Sequence, residues 1–434
     1  MSPLILVVIP LVGAFFAALN EPKRLVHLAI LTPIVEFVAL WLTSSQPSSW
    51  LGLGLEIRVV ERFALAIIIL AVAPALLAAG DEWPGGEGTA LGLVGLAAGV
   101  VAIATSQSVV ASTVASLIAA AVLTPILVGE NSVAGALPRT TRACLAWLAL
   151  AGSMLLVSSA LEGHYGAQPM PGLLQPAAAF LVVGLGIFVA AFPFSLWLPS
   201  LADGAPSGSA MVLGILGTTA TATLAATLDS STWLATAFSI RAALATSGGI
   251  AAVFCSLLAL GEKRPGRIIA LLLSANSDLA LAGAVSISPD SLVGVIWLLA
   301  VQFLVAALAL TALASCQGKV NGLLGRRPIL ALGLAIAAWS LVGAPPTAGF
   351  TGRLILAQSV APTNLPLLLE DVVASVLGGF AILPLVATLL RGCDDSAEPV
   401  RPVDVAILIV AAIVIVGGLF PNPVLAPLQA ALAG

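Results

Sequence analysis

The sequence predicts an all-α polytopic membrane protein of about fourteen transmembrane helices, on three observations. Of 434 residues, 60% are hydrophobic and only 8% charged, whereas about a quarter of the residues of a soluble domain are charged. Apolar runs long enough to span a bilayer, about 20 residues each, succeed one another from end to end. Lys and Arg gather in alternate connections between those runs. The net charge of −4, with no long basic run, argues against a nucleic-acid partner and leaves lipid as the medium that so apolar a surface must face.

The runs cover 3–20, 25–44, 62–80, 89–106, 108–129, 142–161, 175–198, 206–228, 234–260, 267–287, 291–315, 328–361, 369–390 and 403–420. The first lacks a positive leader and is followed by Glu21, so it reads as a span and not as a cleaved signal. With the N-terminus outside, the inner connections hold Lys23, Arg24, Arg139, Arg142, Lys263, Arg264, Arg267, Lys319, Arg326, Arg327, Arg391 and Arg401, and the outer ones only Arg58 and Arg62. Arg241 falls just inside the ninth run and Arg353 deep in the twelfth. This asymmetry obeys the positive-inside rule and predicts both termini on the outer side. No low-complexity linker divides the chain, so residues 1–434 form one membrane domain. Within it, 1–80 hold the first three helices, 89–228 a first repeat, 234–390 a second, and 403–434 a C-terminal helix and tail.

Two runs are interrupted. Pro193 lies in Ala191-Phe192-Pro193-Phe194 of the seventh, and Gly343-Ala344-Pro345-Pro346 lies in the twelfth. A proline removes a helical N–H donor and breaks the ladder there. The breaks are five runs apart, an odd offset that gives the two five-helix units opposite orientation, as in inverted-repeat transporters with paired discontinuous helices. Prolines are also common in spans with no such role. Cys144, Cys255, Cys316 and Cys393, with His27 and His164, are scattered, so the sequence offers no metal site and no disulfide framework.

The segment Phe192-Pro-Phe-Ser-Leu-Trp-Leu-Pro-Ser-Leu-Ala-Asp-Gly-Ala-Pro206 resembles the PFHxWLPDAHxxAP pattern of the antiporter-like subunits of respiratory complex I. The same fold occurs in Mrp-type sodium/proton antiporters and membrane-bound hydrogenases. Gly343-Ala-Pro-Pro-Thr-Ala-Gly-Phe-Thr-Gly-Arg353 is similar to the family's GxPPxAGFxGK, and Arg267-Ile-Ile-Ala-Leu-Leu-Leu-Ser-Ala-Asn-Ser-Asp278, more weakly, to KRLLAYSSxxQ. The resemblance covers about residues 180–360. It implies a proton path built from a glutamate in span five, lysines in spans seven and eight, a lysine or histidine in span ten and a lysine or glutamate in span twelve. This sequence departs from that pattern. Span five, Val109 to Val128, has no acid; the span-seven lysine falls at Phe188 and the span-eight lysine at Thr218; the motif histidine falls at Ser195; and the motif's Asp-Ala-His reads Ser200-Leu201-Ala202. Phe and Thr hold no exchangeable charge, so the first half of the path is expected to be lost.

Three ionisable residues remain well inside spans, where such groups default to functional hypotheses. Arg353, at the family position in span twelve, is a fixed cation that either ends an ion path or satisfies carbonyls freed by the Pro345-Pro346 break. Asp278 is either a protonatable site, a candidate partner of Arg353, or a hydrogen-bonded neutral acid. It shares a helical face with Ser274. Glu36 reads as a subunit-contact or water-cavity residue, or more simply as an internally bonded acid. Asp203 and Pro206 read as turn and helix-start residues. The hydroxyls of Thr218, Thr219, Thr221 and Thr223 either line a wet path or bond back to their own helix.

The resemblance therefore implies a membrane-arm subunit of a complex I-like proton-translocating oxidoreductase or a related assembly. Its own proton path would be reduced or lost, and it would work beside other membrane subunits in a bacterial inner membrane. The resemblance calls for no cofactor in this chain and places any quinone in a neighbouring subunit. A proton or sodium/proton antiporter component, or an unrelated secondary transporter, are the competing readings.

Overall fold

The computed structural model describes residues 2–19, 22–50, 53–82, 86–128, 138–167, 174–230, 238–284, 289–362, 364–391 and 397–433. Cys393 and the side chains of Lys23, Arg24, His164 and Arg241 lie outside the described set. The described chain is nearly all helix. In order come α1 (Leu4–Leu19), α2 (Pro22–Leu42), α3 (Val59–Glu82), α4 (Glu87–Ala104), α5 (Val109–Val128), α6 (Arg139–Ala167), α7 (Leu174–Phe188), the short α8 (Leu198–Gly204), and α9 (Pro206–Val212). A π-helical turn, Leu213–Gly217, carries α9 straight into α10 (Thr218–Ser230). There follow α11 (Phe238–Gly261), α12 (Pro265–Ala284), α13 (Pro289–Ser315), α14 (Leu323–Arg326), α15 (Pro328–Val342), α16 (Ala348–Val360), α17 (Leu365–Leu390), α18 (Pro402–Leu419) and α19 (Asn422–Ala433).

Among the described residues, eleven helices are long and apolar enough to cross a membrane, and three shorter apolar helices, Leu4–Leu19, Gln175–Phe188 and Pro328–Val342, accompany them. Two of the three are cut short by their sequence. α7 and α15 stop where Pro193 and Pro345 withdraw N–H donors.

Burial sorts the helices into a centre and a ring. α13 and the α9–α10 rod are wholly buried, and α12 almost so. α13 packs on α3, α12, α15 and α16 as well as on the α9–α10 rod. The peripheral helices α2, α6, α11, α17 and α18 have only a third or so of their spanning residues buried. They turn large apolar side chains outward, among them Trp41, Ile250, Phe380 and Ile409. In water such a surface would drive aggregation; in lipid it is the solvated face.

Three features depart from the sequence reading. The connection between α2 and α3 is an antiparallel hairpin, β1 (Ser48–Trp50) against β2 (Leu53–Leu55), so the fold is not strictly all-α. The hairpin is held by the N–H of Glu56 on the carbonyl of Ala104. Beside it, the Arg58 guanidinium keeps the Glu56 carboxyl below its usual range. Asp203, read from the sequence as a turn residue, lies in the short helix α8, bound to Arg264 just before α12. Pro206 does open the following helix. The last segment, α19, is a helix packed on α13 and α3 where a tail was expected.

Candidate functional site

Helix breaks leave carbonyls without partners, and inside a bilayer those carbonyls must find donors within the protein. In an α-helix the carbonyl of residue i accepts from the N–H of residue i+4. Pro193 therefore strands the carbonyl of Val189, and Pro345 strands that of Leu341. Both are supplied by α12. The Ser277 hydroxyl donates to Val189 O, and the Asn276 amide donates to Leu341 O at 2.8 Å. The next residue, Asp278, accepts the Phe192 N–H at 2.9 Å, a donor left over by the end of α7. Three consecutive side chains thus hold both breaks.

The geometry of α12 makes this possible. Successive residues of a helix are turned by about 100°, so Asn276 and Asp278 point to opposite sides of the rod. The helix stands between the two interruptions, with one side chain for each and Ser277 between them. Gln302 of α13 donates to the Ser277 hydroxyl at 3.1 Å. The Cys255 thiol of α11 lies 3.8 Å from the second oxygen of Asp278.

On the far side, Asn276 Oδ1 accepts from Arg353 Nε at 3.0 Å. Nη2 donates to the same oxygen at 2.5 Å, while Nη1 reaches α17, donating to Asp371 at 3.0 Å and to the Ser375 hydroxyl. Gly343 sits against the Arg353 side chain at φ 76°. A side chain there would be both strained and in collision, so glycine is what lets the arginine lie along the break. The start of α16 is fixed by the Gly349 N–H on the Ser340 hydroxyl at 3.2 Å and by the Trp297 indole N–H on Ala348 O at 2.8 Å.

Asp278 and Arg353 therefore do not pair. The candidate pairing fails because Asp278 faces the first break; Asn276, two positions earlier, faces Arg353. The acid that meets Arg353 is Asp371, which the sequence reading passed over. Its signal was present as adjacent acids, Glu370-Asp371, at the head of the thirteenth apolar run. Glu36 is not part of this network. It is fully buried on α2, and neither carboxyl oxygen has a partner among the described residues.

The positions in spans seven and eight that carry lysine in the resembling pattern are apolar or self-satisfied. Phe188 is the buried last residue of α7. Thr218 follows the π-helical turn and donates back to the carbonyls of Gly214 and Ile215. Thr219, Thr221 and Thr223 bond back in the same way, and Thr223 also meets Ser112 of α5 at 2.8 Å. Among the described residues, no group of three or more His, Cys, Asp or Glu is placed to hold a metal ion.

Fold and site together define a polytopic membrane protein with two broken helices bridged by a polar strip in its buried centre. Residues 166–378 match the family described as NADH:quinone oxidoreductase/Mrp antiporter, transmembrane. A protein of Cereibacter sphaeroides named NADH-quinone oxidoreductase subunit N is 31% identical over 284 residues, 63% of this chain and 62% of that one. A subunit N of Heliobacterium modesticaldum is 26% identical over 323 residues, 66% of each chain. The chain thus matches a little under two thirds of the length of these relatives. In structure it superimposes on a chain of respiratory complex I from Thermus thermophilus with a TM-score of 0.80 at 17% identity, over 99% of both chains. It also superimposes on a chain of the Mrp complex from Dietzia sp. with a TM-score of 0.78 at 16% identity, over 99% of this chain and 96% of that one. At these identities the superpositions establish the shared fold.

Proposed function

We propose that this chain is a membrane-arm subunit of a complex I-like proton-translocating oxidoreductase or a related multi-subunit assembly in a bacterial inner membrane. In this reading the eleven long and three shorter apolar helices make fourteen spans with both termini outside. The segments 89–228 and 234–390 are its two inverted repeats. The observation that carries the proposal is the strip Asn276-Ser277-Asp278, which fastens the interruption of one repeat to that of the other. A displacement at one break is passed through a single rigid helix to the second. The chain works as a mechanical coupler within the arm, and the first repeat has no titratable relay, since Phe188 and Thr218 stand where that relay needs lysine. Any quinone or redox centre belongs to neighbouring subunits.

Purification of the tagged full chain from its native membrane in mild detergent tests the assignment. Co-purification of further membrane and redox subunits is expected. A monodisperse lone protein would end it.

A second reading, a live proton or sodium/proton antiporter component, is favoured by one feature. Arg353 and Asp371 form a buried ion pair with exposed fractions of only 6% and 14%, and buried ions in spans commonly mark ion paths. Asp278→Asn separates the readings. Asparagine still accepts the Phe192 N–H, so the coupler retains proton pumping by the assembly within about twofold, whereas a relay through Asp278 loses it.

A further inference from the structure

Beside the first break lies a cavity of about 650 Å³ between α7, α11 and α12. Its size is that of small-molecule sites. Phe192, Phe194, Phe254, Ile250 and Leu281 form much of its wall, and Asp278 is the one ionisable group among the described residues that line it. The rim is open on the peripheral side of the bundle, where Ile250 is 62% and Phe254 45% exposed. The Phe192 and Phe254 rings meet across it at 5.2 Å between centroids.

From this arrangement we infer that the cavity is a binding site for a lipophilic ammonium ion, with the charge on Asp278 and the apolar body among the aromatic rings. Each carboxylate oxygen has more than one acceptor direction, and among the described residues the partners of Asp278 are one backbone N–H and one weak thiol. Acceptor capacity thus remains, with no cationic side chain among the described residues of the wall to use it. Asp278 stands thirteen residues into α12, about 20 Å along its axis, which places it inside the hydrocarbon. A phospholipid headgroup does not reach that depth, and an acyl chain gives the carboxylate nothing. An anion is repelled by it. An ammonium gains a charge-assisted hydrogen bond and the faces of two aromatic rings. The inference is independent of the assembly proposed above, because the wall of the cavity comes from this chain alone.

The test compares 2-naphthylmethylammonium with its uncharged counterpart 2-naphthylmethanol, on the full chain in lipid nanodiscs, with empty nanodiscs subtracted. Saturable binding of the amine at one site per chain is expected, at least tenfold tighter than the alcohol. Asp278→Asn, which keeps the bond to Phe192, should weaken the amine at least tenfold and leave the alcohol unchanged. Ile250→Trp, on the exposed rim, should obstruct both ligands, and it decides the matter should Asp278→Asn fail to fold. Equal affinity for amine and alcohol, amine binding indifferent to Asp278→Asn or to Ile250→Trp, or only non-saturable partition into lipid would each overturn the inference.

Discussion

Single side chains carry the connection between the two interruptions, because a proline in a span creates a specific debt: one carbonyl, four residues upstream, without its donor. Val189 and Leu341 are those carbonyls, and Ser277 and Asn276 supply them. Leaving a buried acceptor unmet costs about 1–3 kcal/mol. Ser277→Ala strands Val189 O and should destabilise the purified protein by about that amount, read as a shifted midpoint in denaturant unfolding. Asn276→Leu removes the donor to Leu341 and an acceptor of the Arg353 guanidinium together, so its cost should exceed that of Ser277→Ala. Equal midpoints for wild type and both variants would mean that water or backbone relaxation satisfies these groups. Asp278 and Arg353 were legible in the sequence as ionisable residues where hydropathy forbids them. Their partners were not, because pairing across a bundle depends on which way each helix is turned, and a rotation of about 200° separates Asn276 from Asp278.

At the scale of elements, close packing of backbone decides where the broken helices resume. A Cβ on Gly349 would strike the backbone carbonyl of Ser340, and one on Gly418 would strike the Pro346–Thr347 backbone. Main chain cannot swing aside as a flexible side chain can, so Gly349→Ala should cost at least the 1–3 kcal/mol or so typical of overpacking, more than Gly261→Ala, where nothing lies within 4 Å. The ends of α13, α15 and α18 that meet around Arg327 are tied by a second device. Arg327, 3% exposed, binds Asp404 and donates to Ser315 O at 2.7 Å. Asp404→Ala leaves that guanidinium buried without its acid, a change that commonly costs about 3–5 kcal/mol. Loss of the unfolding transition or a large fall in its midpoint is expected, and a near-neutral effect would show that Ser315 O suffices. The long spans and both breaks could be read from hydropathy and proline alone, since lipid permits little else. The β1–β2 hairpin could not, because strands of three residues carry no periodicity. The π-helical turn at Leu213–Gly217 was equally silent; at its end Gly217 lies so close to the Phe303 ring that a Cβ would collide.

For the molecule as a whole, the charge distribution and the number of crossings must agree, and that agreement can be tested in one experiment. Nine apolar helices lie between the β1–β2 hairpin and the connection after α13, counting the shorter Gln175–Phe188. An odd number places Ser49 and Gln317 on opposite sides of the membrane. The positive-inside rule assigns Gln317, next to Lys319, to the inner face and Ser49 to the outer. Both positions are exposed, and Cys144, Cys255 and Cys316 are buried free thiols, so with Cys393 replaced by serine the background of reactive thiols is low. In intact cells a membrane-impermeant maleimide should label Ser49→Cys and leave Gln317→Cys unlabelled until the membrane is permeabilised. The reverse pattern would invert the orientation. Labelling of both from one side would mean that α7, shortened by the break after Phe188, does not complete a crossing with the segment beyond it, and the pairing of two inverted units would fall with it.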